Sequence, residues 1–343
     1  MQNKIWQNKE IALLLILLND TIKQMKPPYK ITPEILKFVS SISEKMGEIN
    51  AKYLHKQSPQ LRKQNKIKTI HSSLQIEGNT LTEEQVIAII ENKKVIGSQK
   101  EILEVKNAID VYDNLVTYTA NSEKSFLSAH GQLLNGLVLD AGNYRRQGVG
   151  IAKGEIIAHI APPFDNVPFL MKGLFDYLDI DDEISLIKSC VFHYEMEFIH
   201  PFLDGNGRMG RLWQSVILME QYPVFEFLPF ETLICQNQEA YYTALGLSDK
   251  QGESTLFIEF MLKIIDQSLG ELLDYNGRSL KDTDRLDYFV NHGKSPFTRK
   301  DYMNLFKEIS TATASRDLKK GVEMGFFVKE GEKKTTIYRK TKR

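Results

Sequence analysis

Apolar positions recur at helical spacing through most of the first 270 residues of the chain. In the stretch ITPEILKFVSSISEKMGEINAKYL, Ile35, Leu36, Val39, Ile42, Met46 and Ile49 fall on one face of a helix. Thr32 and Pro33 supply its start, an N-capping hydroxyl followed by proline at the first helical position. TLTEEQVIAII repeats the device, with Thr82 ahead of Glu83 and Glu84. SQKEILEVKNAIDVYDNL, NVPFLMKGLFDYLD and SLIKSCVFHYEMEFI continue in the same idiom, and GRLWQSVILMEQY carries Leu212, Val216 and Met219 at helical intervals. A further helix is expected over residues 11–25. Its apolar run at 11–18 reads as a buried face and not as a signal-peptide core, because Glu10 interrupts the basic stretch and no small-residue cleavage site follows. Eight apolar residues are also far short of the roughly 20 that cross a membrane.

The period changes at residues 142–168. GNYRRQGVGIAKGEIIAHIAPPFDNVP alternates short β-prone runs with glycine, and Lys153 and Gly154 supply a turn between arms holding Val149 with Ile151 and Ile156 with Ile157. A hairpin is the expectation, an irregular glycine-rich loop the alternative. From residue 282 the pattern predicts three short helices, DRLDYFVNHG, TRKDYMNLF and STATASRDLKKGVEMGFF, then a two-stranded wing turning at Glu330, Gly331 and Glu332. The expected fold class is therefore mainly α: a helical bundle with one β-hairpin, plus a C-terminal winged helix-turn-helix domain. The expected divisions are an N-terminal helical region over 1–60, a central domain over 61–270 and the winged unit over 282–343.

Composition narrows the class. With 343 residues, 42% hydrophobic and 26% charged, the chain fits a soluble globular protein of two or three folded units. Its two cysteines, Cys190 and Cys235, are too few for a disulfide framework and form no zinc motif, so a cytoplasmic, reducing location is expected. Formal charge is +0 overall, but residues 282–343 hold 15 Lys and Arg against 9 Asp and Glu, leaving 29 against 35 upstream. The tail is basic and the body acidic.

The densest chemistry is HPFLDGNGRMGR at residues 200–211. A glycine-rich turn entering a helix bares backbone N–H groups at the positive end of the helix dipole, an arrangement that binds phosphate. Arg208 and Arg211, three apart, share a helix face and suit forked contacts to phosphate oxygens. Asp204, just ahead, would repel phosphate in isolation, and Mg²⁺ between them resolves the conflict because it is typically held by one or two carboxylates plus phosphates. His200, with an ordinary pKa of about 6.5, suits the removal of a proton from an attacking hydroxyl. Asn206 has an amide able to hold phosphate or to orient the loop. Each residue alone also has a bland reading: a surface turn, a solvated helix face, a satisfied helix-end histidine.

The whole stretch matches the Fic family signature H-P-F-x-D/E-G-N-G-R-x-x-R at every fixed position, and the resemblance runs over about residues 60–265. It implies a Fic-type helical bundle and the transfer of AMP from ATP to a Ser, Thr or Tyr hydroxyl of a target protein, with release of pyrophosphate. It further implies His200 as general base, Asp204 as Mg²⁺ ligand, and Gly205, Asn206 and Gly207 as the anion-binding backbone. Arg208 and Arg211 would hold the triphosphate, Arg211 at the γ-phosphate. The 149–160 hairpin resembles the family's flap, with Ile156, Ile157 and His159 positioning a target segment by strand pairing. Tyr241 and Tyr242 resemble the tyrosines beside adenine and ribose, their alternative being plain helix packing.

A second motif lies upstream. Ser73-x-x-x-Glu77-Gly78 resembles the family's inhibitory motif S/T-x-x-x-E-G/N, on a helix expected near residues 70–80. A Glu77 carboxylate on Arg211 would occupy the guanidinium that the γ-phosphate needs. Some relatives use that glutamate to direct water in removing AMP, so removal of AMP stays open beside transfer, as does transfer of UMP or a phosphoryl group, since the loop reads phosphates and not bases. The partners expected are ATP, Mg²⁺, a protein substrate, the chain itself as a target and, in a homodimer, a second copy. The tail resembles a winged helix whose Thr311, Thr313, Ser315 and Arg316 reach DNA and whose Lys333, Lys334, Arg339 and Lys340 meet its phosphates. A protein-interaction module is the alternative for the tail, and a DNA-binding regulator with a nucleotide-sensing domain is the alternative for the whole.

Overall fold

The structure is a computed structural model that describes residues 26–52, 59–153, 156–180, 182–277, 282–306, 309–331 and 336–341. The helix expected at 11–25 and the wing residues Lys333 and Lys334 lie outside the described residues. The chain divides into two compact units, Met1–Leu273 and Asp274–Arg343.

The first unit is helical, and its start signals act as the sequence predicts. Helix α1, Pro33–Lys52, opens where Thr32 Oγ1 accepts from Ile35 N at 3.2 Å. Helix α2, Pro59–Ile76, leads to α3, Glu83–Ile90, which starts in a reciprocal cap: Gln85 N donates to Thr82 Oγ1 and Thr82 N to Gln85 Oε1. Helices α4, Gln99–Asp113, and α5, Glu123–Leu133, are capped by Ser98 and Ser122. Strands β1, Gly150–Lys153, and β2, Ile156–Ile160, then form an antiparallel hairpin, with Gly150 opposite Ile160 and an irregularity between Ile151 and Ala152. Five helices follow: α6, Val167–Leu178; α7, Ser185–Ile199; α8, Asn206–Gln221; α9, Phe230–Gln236; and α10, Gln238–Gln251. Helix α11, Thr255–Gly277, closes the series.

The core lies along α7 and α8, which pack on each other. Both are buried nearly all round, as a central helix must be to remove its apolar surface from water. Trp213 shows how tightly it is held: its Nε1 donates to Ala120 O at 2.9 Å and its ring meets Phe126 edge-on with centroids 5.0 Å apart. Helix α2 packs against α9 and α4, which places its C-terminal end over the start of α8.

The second unit holds α12, Asp282–His292; α13, Arg299–Leu305; α14, Thr311–Glu323; and strands β3, Phe327–Glu330, and β4, Ile337–Lys340, paired antiparallel. Leu286, Phe289, Phe297, Tyr302, Leu318 and Phe327 form its own small core. Among the described residues the protein is thus mainly helical with two short antiparallel strand pairs, and helices at Glu123–Leu133, Phe230–Gln236, Gln238–Gln251 and Thr255–Gly277 join those that the hydrophobic pattern marks one by one.

Candidate active site

The site forms where α7 ends, turns and gives way to α8. His200 caps α7 in the left-handed region, φ 50° and ψ 59°, with its N–H donating to Met196 O at 2.9 Å. Few residues other than glycine adopt this conformation, histidine being one that tolerates it. The imidazole Nδ1 lies 3.4 Å from the Glu197 carbonyl. A carbonyl only accepts, so the proton belongs on Nδ1 and Nε2 is the basic nitrogen.

The loop is closed from within by Asn206. Phe202 N donates to Asn206 Oδ1 and Asn206 Nδ2 donates to Phe202 O, each at 2.9 Å, and the residue is 2% exposed. Both amide groups bond within the loop and the side chain is buried, so of the two roles open to Asn206 the geometry supports orienting the loop. Gly205 takes φ +88°, and a side chain there would also meet Leu134 at 2.6 Å. Met209 N is the first to bond back into α8, reaching Gly205 O, so the N–H groups before it have no partner within the helix.

Arg208 and Arg211 rise from this first turn, both buried. Arg208 Nη2 donates to Asp204 Oδ1 at 2.9 Å, and its Nη1 stands 3.8 Å from Glu104. The Asp204 carboxylate is therefore not an isolated charge; Gly205 N also donates to its Oδ1. Among the described residues no three His, Cys, Asp or Glu gather as metal ligands. Asp204 is still half-exposed at the helix mouth, the placing that Mg²⁺ shared with a phosphate requires, since one protein carboxylate suffices.

Arg211 has no exposed surface. Its Nε donates to Ser73 Oγ at 3.1 Å, and its Nη2 to Ser73 O at 3.0 Å and to Glu77 Oε1 at 2.7 Å. Its Nη1 is buried with no partner among the described residues. Burial, the largest single influence, pulls the guanidinium pKa down, but the charge and hydrogen bond of Glu77 together with Tyr241 and Glu197 outweigh it and the net shift is upward. The aim of Glu77 follows from how α2 ends. Asn79 N bonds back to Leu74 O and Gly78 N to Gln75 O, a paired termination that requires the left-handed residue supplied by Gly78 at φ +88°. Glu77 thereby lies across the mouth of α8: a Cβ added at Gly207 would sit 2.4 Å from its carboxylate oxygen.

The structure thus gathers His200, Asp204, Gly205, Asn206, Gly207, Arg208, Arg211, Ser73 and Glu77 in one place. It treats the tyrosines differently. Tyr241 is 1% exposed and its hydroxyl lies 3.0 Å from His193 Nε2, while Tyr242 is 43% exposed. Ile156, Ile157 and His159 lie on β2, with His159 opposite Ile151.

Several supporting residues escaped sequence reasoning. Arg145, 2% exposed, donates from Nε to His200 O at 2.8 Å and from Nη2 to Pro162 O at 2.6 Å, tying the hairpin's exit to the loop. His130 lies flat on Phe202 with centroids 3.6 Å apart; its Nδ1 accepts from Gly142 N, so its Nε2 donates to Asp204 O. Burial lowers its pKa to about 4 and that of His193 to about 3, so both stay neutral near pH 7. The available signal was a histidine on the apolar stripe of α5, between Phe126 and Leu133. Arg145 gave none beyond a charge in a β-prone stretch.

A model of the Fic/DOC family matches residues 120–218, the stretch from α5 through the loop into α8. The crystal structure of a Fic family protein from Desulfovibrio desulfuricans G20 is similar over 93% of this chain and 99% of that one, at 40% identity and a TM-score of 0.73. Fic-1 from C. elegans shares the fold at 22% identity and a TM-score of 0.59, over 71% of this chain and 73% of that one. Protein adenylyltransferase Fic from Drosophila mojavensis is 29% identical over 245 residues, 67% of this chain and 46% of its own length. Its counterpart from Drosophila willistoni is 28% identical over the same shares. The chain spans about half the length of these curated relatives. No described helix is long and apolar enough to cross a membrane.

Proposed function

Because the chain belongs to the Fic family, we propose that it transfers AMP from ATP to a hydroxyl side chain of a target protein, and that Glu77 holds this activity down. The observation that carries the reading is the Glu77–Arg211 ion pair at 2.7 Å, laid over the helix mouth beside His200. A buried guanidinium whose Nη1 has no partner among the described residues, next to bare helix N–H groups, is a phosphate site in charge and in geometry. Glu77 fills the place where the outermost phosphate would bind.

The residues divide the work as follows. His200 Nε2 accepts the proton of the target hydroxyl as its oxygen bonds to the α-phosphorus, and the bond from that phosphorus to pyrophosphate breaks. The first turn of α8, with Arg208 and Arg211, holds the phosphate charge, while Asn206, His130 and Arg145 keep the loop in shape. Asp204 would hold Mg²⁺, whose chemistry is to neutralise charge on the phosphates. The hairpin presents an extended edge on which a target segment can pair by main-chain bonds.

The test is incorporation of AMP from ATP labelled in the α-phosphate. Glu77→Gly is expected to raise labelling at least tenfold, on the order of 1.4 kcal/mol, and adding His200→Ala is expected to abolish it while ATP still binds. Labelling that ignores Glu77→Gly would remove the inhibitory assignment, and transfer that survives His200→Ala would remove the general base.

A second activity is proposed for the basic tail, that of a winged helix on duplex DNA. Exposed Arg316 and Lys319 on α14, with Arg299 donating to Ser315 at 3.0 Å, support it. Fluorescence anisotropy with a labelled duplex is expected to show affinity falling steeply between about 50 and 200 mM salt; no binding at the lower salt would refute it.

A further inference from the structure

Glu104, on α4, stands between the two parts of the control. Its side chain is 13% exposed. One oxygen, Oε2, accepts from Asn79 Nδ2 at 2.8 Å. The other, Oε1, stands 3.8 Å from Arg208 Nη1, with the exposed Lys100 at 3.9 Å. Asn79 is the second residue after Glu77, and it is 7% exposed. Its amide also donates to Glu101 O at 3.2 Å, and its Oδ1 accepts from Leu81 N at 3.1 Å. Thr80 adds two bonds from its N and Oγ1 to Glu101 Oε1, each 2.7 Å.

We propose that Glu104 is a positioning residue with two hands: through Asn79 it clamps the turn that aims Glu77 at Arg211, and through Arg208 it holds one of the guanidinium groups that receive the nucleotide. The physical ground is the cost of burying charge. A carboxylate so nearly removed from water is stable only with partners close by, and Glu104 finds them in a buried amide and a buried guanidinium. The helix-terminating bonds at Gly78 fix the direction in which Glu77 leaves α2, but they fix it relative to α2 alone. The Asn79–Glu104 bond fixes that turn to α4, the helix whose Glu104 faces the nucleotide arginine. On this view one carboxylate bears on both how firmly Glu77 sits and where Arg208 waits; Glu101 shares the first task and Asp204 the second.

The inference rests on the proposed transfer activity for its kinetic arm, so the experiment has an arm that does not. Hydrogen–deuterium exchange of residues 74–80 in the full chain reads the clamp directly. Asn79→Ala is expected to speed exchange there and to raise AMP labelling about tenfold with Glu77 present, adding nothing once Glu77→Gly has removed the inhibitor. Asn79→Asp keeps the side-chain size and sets carboxylate against carboxylate, so it is expected to act in the same direction. Glu104→Gln keeps an acceptor for Asn79 but removes the charge facing Arg208. It is expected to leave exchange of 74–80 as in the parent while raising KM for ATP about threefold or more in the Glu77→Gly protein, with a smaller change in kcat.

Unchanged exchange in both Asn79 variants would overturn the clamp, and an unchanged KM in Glu104→Gln would overturn the hold on Arg208. If no variant incorporates AMP, Glu77→Gly included, the transfer reading fails, and exchange still decides the clamp.

Discussion

Arg285 and Arg211 each carry a guanidinium out of water and each meet a carboxylate, yet the two pairs are built differently. In the second unit Arg285 Nε donates to Asp317 Oδ2 at 2.6 Å and its Nη2 to Asp317 Oδ1 at 3.0 Å, a fork on a carboxylate only 2% exposed. Tyr302 adds a third bond to the same Asp317 at 3.3 Å. Arginine, partner and support come from three helices of one small core. In the first unit Arg211 has a single contact with Glu77, which is a third exposed and sits just past the end of a helix, and one of its nitrogens has no partner among the described residues. The first pair is part of how its unit folds, whereas the second has the build that the proposed autoinhibition asks for, a closure open to displacement by a phosphate.

That contrast is open to breakage by substitution. Asp317→Ala strands a buried guanidinium and is expected to destabilise the second unit by about 3–5 kcal/mol. The measurement is hydrogen exchange of residues 285–330 against that of the first unit, because a two-unit chain has no single unfolding midpoint. Glu77→Gly removes a partner that water already reaches, and Ser73 still holds Arg211 through its hydroxyl and its carbonyl. Its expected cost is about 1 kcal/mol or less in the same experiment. Equal losses for the two substitutions would erase the distinction between a structural pair and a displaceable one.

How much of this was written in the sequence divides along the same line. The helices of the first unit were legible because caps and apolar spacing act locally: Thr32 and Thr82 each bind the N–H group that their position predicts. The loop was legible because twelve consecutive residues carry its chemistry, and Glu77 because its motif demands a left-handed residue next to it. Arg145, His130, Glu104 and Glu231 were not legible. Their work depends on partners 55, 74, 104 and 119 positions away, and no local pattern marks a polar side chain as one that will meet a carbonyl or an arginine across the fold. The tyrosines show the converse: Tyr241 and Tyr242 adjoin in sequence, but helical geometry turns one into the core and the other toward solvent.

Glu231 sharpens the comparison by asking why Arg211 is left to Glu77 at all. It lies on α9 with no exposed surface; Tyr112 of α4 lies 3.5 Å from its Oε1, and its Oε2 is buried without a partner among the described residues. Burial pushes its pKa up to about 8, against the opposing pull of Arg211 from α8 and of Thr69 from α2. At neutral pH it is therefore mostly protonated, and a neutral carboxyl does not compete for the arginine. A carboxyl whose folded pKa is raised binds its proton more tightly folded than unfolded. Between its ordinary pKa of about 4.5 and about 8, stability is then lost as pH rises. His130 and His193, lowered to about 4 and about 3, act at the other end, losing stability as pH falls below about 6.5. Glu231→Gln cannot ionise and so escapes the first loss alone. The stability of its first unit relative to the parent's, followed by hydrogen exchange corrected for intrinsic rates, is expected to rise between pH 5 and pH 8, by at most about 1.4 kcal/mol per pH unit. A difference that stays constant across that range would mean that Glu231 is already ionised beside Arg211, and the arginine would then have a permanent partner of the kind Asp317 gives Arg285.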